Sequence, residues 1–259
     1  MLTIFLGANT GIGYELVKLL AEKGHIVYIG SRNAASGKEA QYVAQSSASR
    51  PELIHAISRE KLIAEGLKSV KSVQIDVTSL PTVTAAVEAI TAAEGKLDVL
   101  VNNAGISNMT KNQNATSIDL QTIRETMETN FYGTIQTTQA FIPLLRKSTT
   151  GAPVILNVST DMASNGYQAR PDAQLHFVAY NTSKAAANSY SIALSHELKK
   201  DGFKVNAVTP GFTSTKLNGF GDGGKTARDG ALALLPFALL DKDGPTGTFA
   251  DWNGNEWPW

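Results

Sequence analysis

The chain has 259 residues, 42% hydrophobic and 18% charged, which suits one α/β domain with a sizeable core. Its 23 Lys plus Arg balance 23 Asp plus Glu, so it carries no electrostatic footprint for nucleic acid or an anionic membrane. The lack of Cys excludes disulfides, cysteine-ligated metals and thiol nucleophiles. It also fits a reducing compartment. The first strand begins at once, without a charged-then-apolar leader pattern. The longest apolar stretch, 231–240, contains Pro236 and falls short of the ~18–20 residues of a spanning helix. These features lead us to expect a cytoplasmic protein with no membrane or nucleic-acid partner.

Leu2-Thr3-Ile4-Phe5-Leu6 is a short apolar run ending at Gly7, after which Ile12, Leu16, Leu19 and Leu20 recur at helical spacing. Gly24 closes that helix and His25-Ile26-Val27-Tyr28-Ile29 reads as the next strand. Strand, glycine turn, helix, strand is the context a dinucleotide site requires. In Gly7-Ala8-Asn9-Thr10-Gly11-Ile12-Gly13, the first two glycines allow a tight turn and close backbone approach. Gly13 allows helix and sheet to pack closely. A pyrophosphate would sit on the free N–H groups at the helix start, where the dipole is positive. Glycines serving only as turn residues are the alternative.

After the second strand the chain reads Gly30-Ser31-Arg32-Asn33, with no acidic residue to grip a ribose 2′-hydroxyl. Arg32 can pair bidentately with a 2′-phosphate and Ser31 can add a donor, so NADP(H) is expected over NAD(H). The stretch 33–71 is polar and longer than an α/β fold needs, suggesting a broken or doubled helix. Val73-Gln74-Ile75 is the third strand, and Ser79 opens a helix carrying Val83, Val87 and Ile90 that ends at Gly95. Asp76 could cap that helix.

The fourth strand, Leu97-Asp98-Val99-Leu100-Val101, delivers Asn102-Asn103-Ala104-Gly105, where the asparagines could be turn residues only. A long helix is expected over 117–145, with Pro143 kinking its last turn. Val154-Ile155-Leu156-Asn157-Val158 is the fifth strand. The loop 161–179 has the length and composition of a lid or pocket wall. The Tyr180 helix runs to Lys200 and stops near Gly202; Lys204 to Thr209 gives the sixth strand and Gly247-Thr248-Phe249 a short last one. Alternating strands and helices argue for a parallel sheet covered on both faces.

Tyr180 and Lys184 are four residues apart on a helix, so their side chains share a face one turn apart. An ammonium beside a phenol favours the phenolate, and lowering a phenol by roughly 3 units takes about 4 kcal/mol. One exposed charge does not deliver that, so a cationic ring or partial burial would have to help. A phenol tuned this way can hand a proton to an alkoxide as hydride arrives. No cluster has metal-ligand spacing. His25, His55 and His196 read as surface or structural residues; His176, in the loop before Tyr180, could be another such residue or could touch a substrate. Trp252, Trp257 and Trp259 read as packing anchors or as a tail folded over the pocket.

Together, the Gly7 to Gly13 turn, Asp76-Val77, Asn102-Asn103-Ala104-Gly105, Asn130 with Gly133, Asn157-Val158-Ser159-Thr160, Tyr180 with Lys184, and Pro210-Gly211 with Thr215 resemble the short-chain dehydrogenase/reductase family. The likeness extends over nearly the whole length. Gly244-Pro245-Thr246-Gly247-Thr248-Phe249 is similar to its carbonyl-reductase branch. The resemblance implies a single Rossmann-type doubly wound domain over 1–259, with about seven mostly parallel strands and helices on both faces. It implies that Asn9, Thr10 and Ile12 meet the cofactor beside the glycines, that Asp76 and Val77 meet the adenine, and that Asn103 lines the adenosine side. Tyr180 would be the acid/base, Lys184 the ribose contact and phenolate stabiliser, and Asn130 the holder of a relay water. Pro210, Gly211, Thr213 and Thr215 would border the nicotinamide. The family's second serine is replaced by Thr160, which keeps a donor hydroxyl on a stiffer side chain, with Ser159 in reserve as the partner of the substrate oxygen. The expected activity is reversible hydride transfer between NADP(H) and a carbonyl or alcohol of a small or medium organic substrate, with a homo-oligomer as a possible state. Reduction of an activated C=C or C=N bond, or a catalytically silent cofactor-binding sensor or scaffold, are the alternatives.

Overall fold

Seven short strands among the described residues set the architecture, and all but the edge strand with the sequence Val-Lys-Ser-Val-Gln are almost wholly buried. The computed structural model describes residues 1–32 and 54–259. Strands β1 (Leu2–Leu6), β2 (Ile26–Ser31), β3 (Val70–Gln74), β4 (Val99–Asn102), β5 (Val154–Val158), β6 (Lys204–Val208) and β7 (Phe249–Ala250) form one sheet. The order is β3-β2-β1-β4-β5-β6-β7 and every neighbouring pair is parallel. In β1, β4 and β5 every residue is buried, as a sheet covered on both faces requires.

The helices divide between the two faces. Alternation along β1 sends Phe5 to one core and Leu2, Ile4 and Leu6 to the other. Phe5 shares its core with Leu16 and Leu20 of α1 (Gly11–Glu22), Leu62 of α2 (Ile54–Ala64) and Leu234 of α8 (Ala227–Ala238). The other set packs with Val83 and Ile90 of α3 (Leu80–Glu94), Phe141 of α5 (Gly133–Leu145) and Leu194 of α7 (Val178–Glu197). The strand order reverses between β1 and β4, so a crevice opens beyond their carboxyl ends.

Most elements lie where the pattern predicts them, with shifted ends. Gly24 (φ 80°), Gly95 (φ 72°) and Gly202 (φ 77°) stand in left-handed conformations at helix ends. The expected helix over 117–145 divides in two. Asp119 accepts a bond from the Gln121 amide and starts α4 (Leu120–Met127), a π-helical turn follows at Glu128–Tyr132, and α5 continues to Leu145 with Pro143 inside it. The first part of the long polar connection, 33–53, lies outside the described residues; α2 occupies part of the rest. The loop 161–179 contains a 3-10 turn at Asp161–Ala163 and the one-turn α6 (Asn165–Gln168). Among the described residues no helix is long and apolar enough to cross a membrane.

Candidate active site

The turn after β1 is tight because glycine makes it possible. Gly7 has φ +70°, and a Cβ there would come within 2.8 Å of Ala104 Cα. A Cβ on Gly13 would lie 2.8 Å from Asn103 Nδ2 and 2.9 Å from Ala8 Cα. Backbone, turn and the segment after β4 are therefore in van der Waals contact, which only glycine permits. Thr10 precedes α1 without capping it through its side chain. The start of that helix faces the crevice end of the sheet, a backbone-lined cradle that fits a pyrophosphate.

The neighbouring positions take defined roles. Asn103 Nδ2 donates to the carbonyls of Leu6 (3.2 Å) and Gly7 (2.9 Å), clamping the β4 loop to the glycine turn. Asn102 instead points into the protein, bonding Thr138 Oγ1 (2.9 Å) and Asn157 Oδ1 (2.7 Å), so it ties β4 to β5 and α5 rather than serving a turn. Asp76 Oδ1 accepts from the Thr78 amide (2.9 Å) and hydroxyl (2.7 Å), forming its own turn ahead of α3 instead of capping it. Val77 is buried against Gly133. At the end of β2 the Ser31 side chain is buried, while Arg32 is exposed and its carbonyl accepts from Gln74 Nε2 (3.2 Å).

Asn130 sits in the π-helical turn between α4 and α5, an irregularity that re-aims one side chain. Its Oδ1 accepts from the Ile106 amide (2.9 Å). Its Nδ2 donates to the Ile106 carbonyl and to Ser183 Oγ, both at 2.9 Å. The Ser183 hydroxyl in turn donates to the Tyr180 carbonyl (2.8 Å). Asn130 thereby joins the β4 loop to the helix carrying Tyr180 and Lys184. Along α7 the buried stripe includes Tyr180, Ser183, Lys184, Asn188 and Ser191, polar where a structural helix would be apolar. Lys184 Nζ donates to the Val158 carbonyl (2.9 Å). A Cβ on Gly105 would stand 3.5 Å from that nitrogen and 3.2 Å from Asn130 Oδ1, so the three positions adjoin.

Electrostatics at α7 run against the expectation of a lowered phenol. Burial pushes Tyr180 above its ordinary range, and the Asp161 carboxylate pushes it further the same way. Burial lowers the Lys184 ammonium to about 8. Desolvation disfavours whichever form is charged, so the same pocket keeps the phenol neutral and weakens the ammonium.

Ser159 and Thr160 separate at the end of β5. Ser159 Oγ donates to Asn188 Oδ1 on α7 (2.7 Å), in a fully buried pair. Thr160 Oγ1 caps the following 3-10 turn, accepting from the Met162 amide (3.3 Å), and donates to Asp161 Oδ1 (3.0 Å). On the far rim, a Cβ on Gly211 would come 2.9 Å from both Lys225 Nζ and a Trp252 ring carbon. The Lys225 ammonium lies 4.5 Å from the centre of the Trp252 ring. Trp257 packs on Trp252 (6.0 Å between centroids) and on Tyr167 of α6 (5.4 Å). The tryptophan tail therefore lies against the segment between β5 and α7. His176 is exposed.

Sequence reasoning missed Gln113, Ser107 and Asp161. Gln113 is buried; its Oε1 accepts from the Tyr180 amide (3.1 Å) and its Nε2 donates to the Ser107 carbonyl (2.8 Å). It lies in a polar, aperiodic stretch with no local signal. Asp161 follows Thr160 directly and its charge was legible, but not its aim. Among the described residues no group of three His, Asp or Glu can hold a metal.

The sequence model of the short chain dehydrogenase family matches residues 2–221. A short-chain dehydrogenase/reductase of Stachybotrys chlorohalonatus is 31% identical, over 98% of this chain and 88% of its own. The (+)-neomenthol dehydrogenase of Capsicum annuum is 27% identical, over 95% of this chain and 94% of its own. The solved structure of salutaridine reductase from Papaver somniferum superposes with a TM-score of 0.74 at 26% identity, covering 96% of this chain and 98% of that one.

Proposed function

The chain belongs to the short-chain dehydrogenase family, an oxidoreductase class that works with nicotinamide cofactors, and within it we propose an NADPH-dependent reductase of carbonyl compounds. The observation that carries this reading is the buried Tyr180 and Lys184 pair on α7, joined through Ser183 and Asn130 to the β4 loop. A phenol held protonated is a proton donor, which suits reduction. When bound, reduced nicotinamide supplies the hydride to the carbonyl carbon. Tyr180 gives its proton to the carbonyl oxygen, so that one hydride and one proton yield the alcohol. Lys184, at about 8, stays largely charged at neutral pH; it would hold the ribose and stabilise the phenolate left behind.

The remaining assignments follow the same logic. Gly7, Asn9, Thr10, Gly11, Ile12 and Gly13 would cradle the pyrophosphate, and Ser31 with Arg32 would take the 2′-phosphate. Asp76, Val77 and Asn103 would border the adenosine, and Pro210, Gly211, Thr213 and Thr215 the nicotinamide. Asn130 would carry the water linking Lys184 to solvent. Ser159 is committed to Asn188, which leaves Thr160 to polarise the substrate oxygen; to donate there its hydroxyl must turn from Asp161. Tyr167 with Trp252 and Trp257 supports an aromatic wall from the 161–179 loop and the tail, fitting an organic substrate with an apolar body.

The test is NADPH and NADH consumption against ketones, aldehydes, quinones and enones. We expect turnover of simple carbonyls, a preference for NADPH that Arg32→Ala removes, and no turnover by Tyr180→Phe despite intact cofactor binding. Turnover confined to the C=C bond of enones would replace the carbonyl reading. Tryptophan quenching by cofactor without any turnover would make the protein a sensor.

A further inference from the structure

We propose that Ser107 and Gln113 are positioning residues: they latch the strap formed by residues 211–224 across the dinucleotide crevice and tie its closure to the seating of Tyr180. The inference rests on the reading above, since it takes the crevice as the cofactor site and Tyr180 as the proton donor.

The strap leaves β6, and its base is pinned by the Ser214 amide to the Lys225 carbonyl and the Lys225 amide to the Phe212 carbonyl, both at 3.0 Å. Inside it, Asn218 Nδ2 donates to the Thr213 carbonyl (2.9 Å) and Asn218 Oδ1 accepts from the Thr215 amide (3.0 Å), so the middle moves as one piece. Thr215 Cγ2 lies 3.4 Å from where a Cβ on Gly11 would stand, which sets the strap against the glycine turn. On the opposite side, Ser107 Oγ donates to the Leu217 carbonyl at 2.6 Å, between residues 110 positions apart. Apolar burial does little to hold the strap down: Phe212, Leu217 and Phe220 are 49%, 43% and 67% exposed. A polar latch is what fastens it.

From the latch the bonding continues inward. The Ser107 carbonyl accepts from Gln113 Nε2, and Gln113 Oε1 accepts from the Tyr180 amide. The Gln113 carbonyl also accepts from the Val178 amide (3.3 Å). Both amides belong to the first turn of α7, whose N-cap Phe177 offers no side-chain acceptor. Gln113 supplies from a distant loop what Ser or Asp would supply locally. Leu217, Ser107, Gln113 and Tyr180 thus form one chain of hydrogen bonds from strap to candidate proton donor. Neither Ser107 nor Gln113 needs to touch the reacting atoms for this to work.

Ser107→Ala cuts the outer bond alone. We expect trypsin to cut the Lys216–Leu217 bond about fivefold faster in the cofactor-free variant than in the wild type, the worth of one neutral hydrogen bond. KM for NADPH should rise by a similar factor with kcat little changed. Gln113→Leu, which also removes the donor to the Ser107 carbonyl, should speed the cleavage likewise and lower kcat at least tenfold. Gln113→Glu, which restores the acceptor for the Tyr180 amide but not that donor, should recover most of kcat while keeping the fast cleavage. Equal cleavage rates in Ser107→Ala and wild type would overturn the latch, and unchanged kcat in Gln113→Leu would overturn the link to Tyr180. If Gln113→Leu does not fold, Gln113→Glu decides both parts: kcat kept near the wild-type value supports the link to Tyr180 and a kcat lowered tenfold or more overturns it, while fast cleavage supports the latch and wild-type cleavage overturns it. The cleavage comparison needs no cofactor, so a wild type that neither binds NADPH nor reduces a carbonyl would refute the functional reading separately.

Discussion

Replacing Lys184 by Met should stabilise the cofactor-free protein at neutral pH, and the advantage should fade as the pH rises. Burial holds the folded ammonium at about 8, against 10.5 for an ordinary lysine. That difference corresponds to roughly 3 kcal/mol lost by the folded state while the lysine is charged in both states. Met keeps most of the side-chain volume and removes the charge. It also forfeits the bond to the Val158 carbonyl, leaving a buried acceptor unpaired at a cost of about 1–2 kcal/mol. The net gain at pH 7 is therefore about 1–2 kcal/mol. Between the folded and unfolded values the unfolded chain binds more protons, so wild-type stability climbs with pH there. The burial penalty is whole below pH 8 and is shed above it. From pH 7 to 9.5 the wild type should recover about 2 kcal/mol relative to Lys184→Met. Urea unfolding followed by tryptophan fluorescence, on both proteins across this range, measures the difference with all shared titrations cancelled. A difference that stays flat within about 0.5 kcal/mol would mean that Lys184 titrates as an exposed lysine, and the desolvation argument would fail.

At the end of β5, Thr160→Val should lower kcat by ~10²–10³, as loss of an oxyanion donor does, whereas Ser159→Ala should leave kcat nearly intact and cost about 1–2 kcal/mol of stability by orphaning Asn188 Oδ1. Steady-state rates and urea midpoints separate the two, and a crippled Ser159→Ala with a mild Thr160→Val would reverse the assignment. Asp161→Asn removes a charge that raises Tyr180, so the acidic limb of the pH profile for alcohol oxidation should move to lower pH; an unmoved limb would deny the coupling. Gly13→Ala should cost about 1–3 kcal/mol and raise KM for NADPH, because its methyl meets the Ala8 backbone and the Asn103 amide. Thermal melting and cofactor titration check both effects, and a variant that melts and binds like the wild type would refute the packing argument.

What the sequence determined by itself was local in cause. Short continuous apolar runs marked β1 and β5 to the residue, and glycines marked the ends of α1 and α3 because they tolerate the left-handed turn. The Tyr180 and Lys184 spacing placed both side chains on one face of α7, and both are buried there. Where ends drifted, as in the divided helix around Asn130, the cause was a turn geometry that no periodicity encodes. Tertiary structure decided the rest. Spacing suggested that Lys184 would lower Tyr180, yet the net shift is upward, because burial acts on both groups and is a property of the whole packed site. Gln113 gave no signal, since its partners lie in the strap's loop neighbour Ser107 and in α7, 67 residues away. The separation of Ser159 from Thr160 likewise depended on which face of β5 meets α7. Side chains announce their chemistry in the sequence; which charges lose their water, and which distant backbone each polar group must satisfy, is settled only when the sheet and its helices close around them.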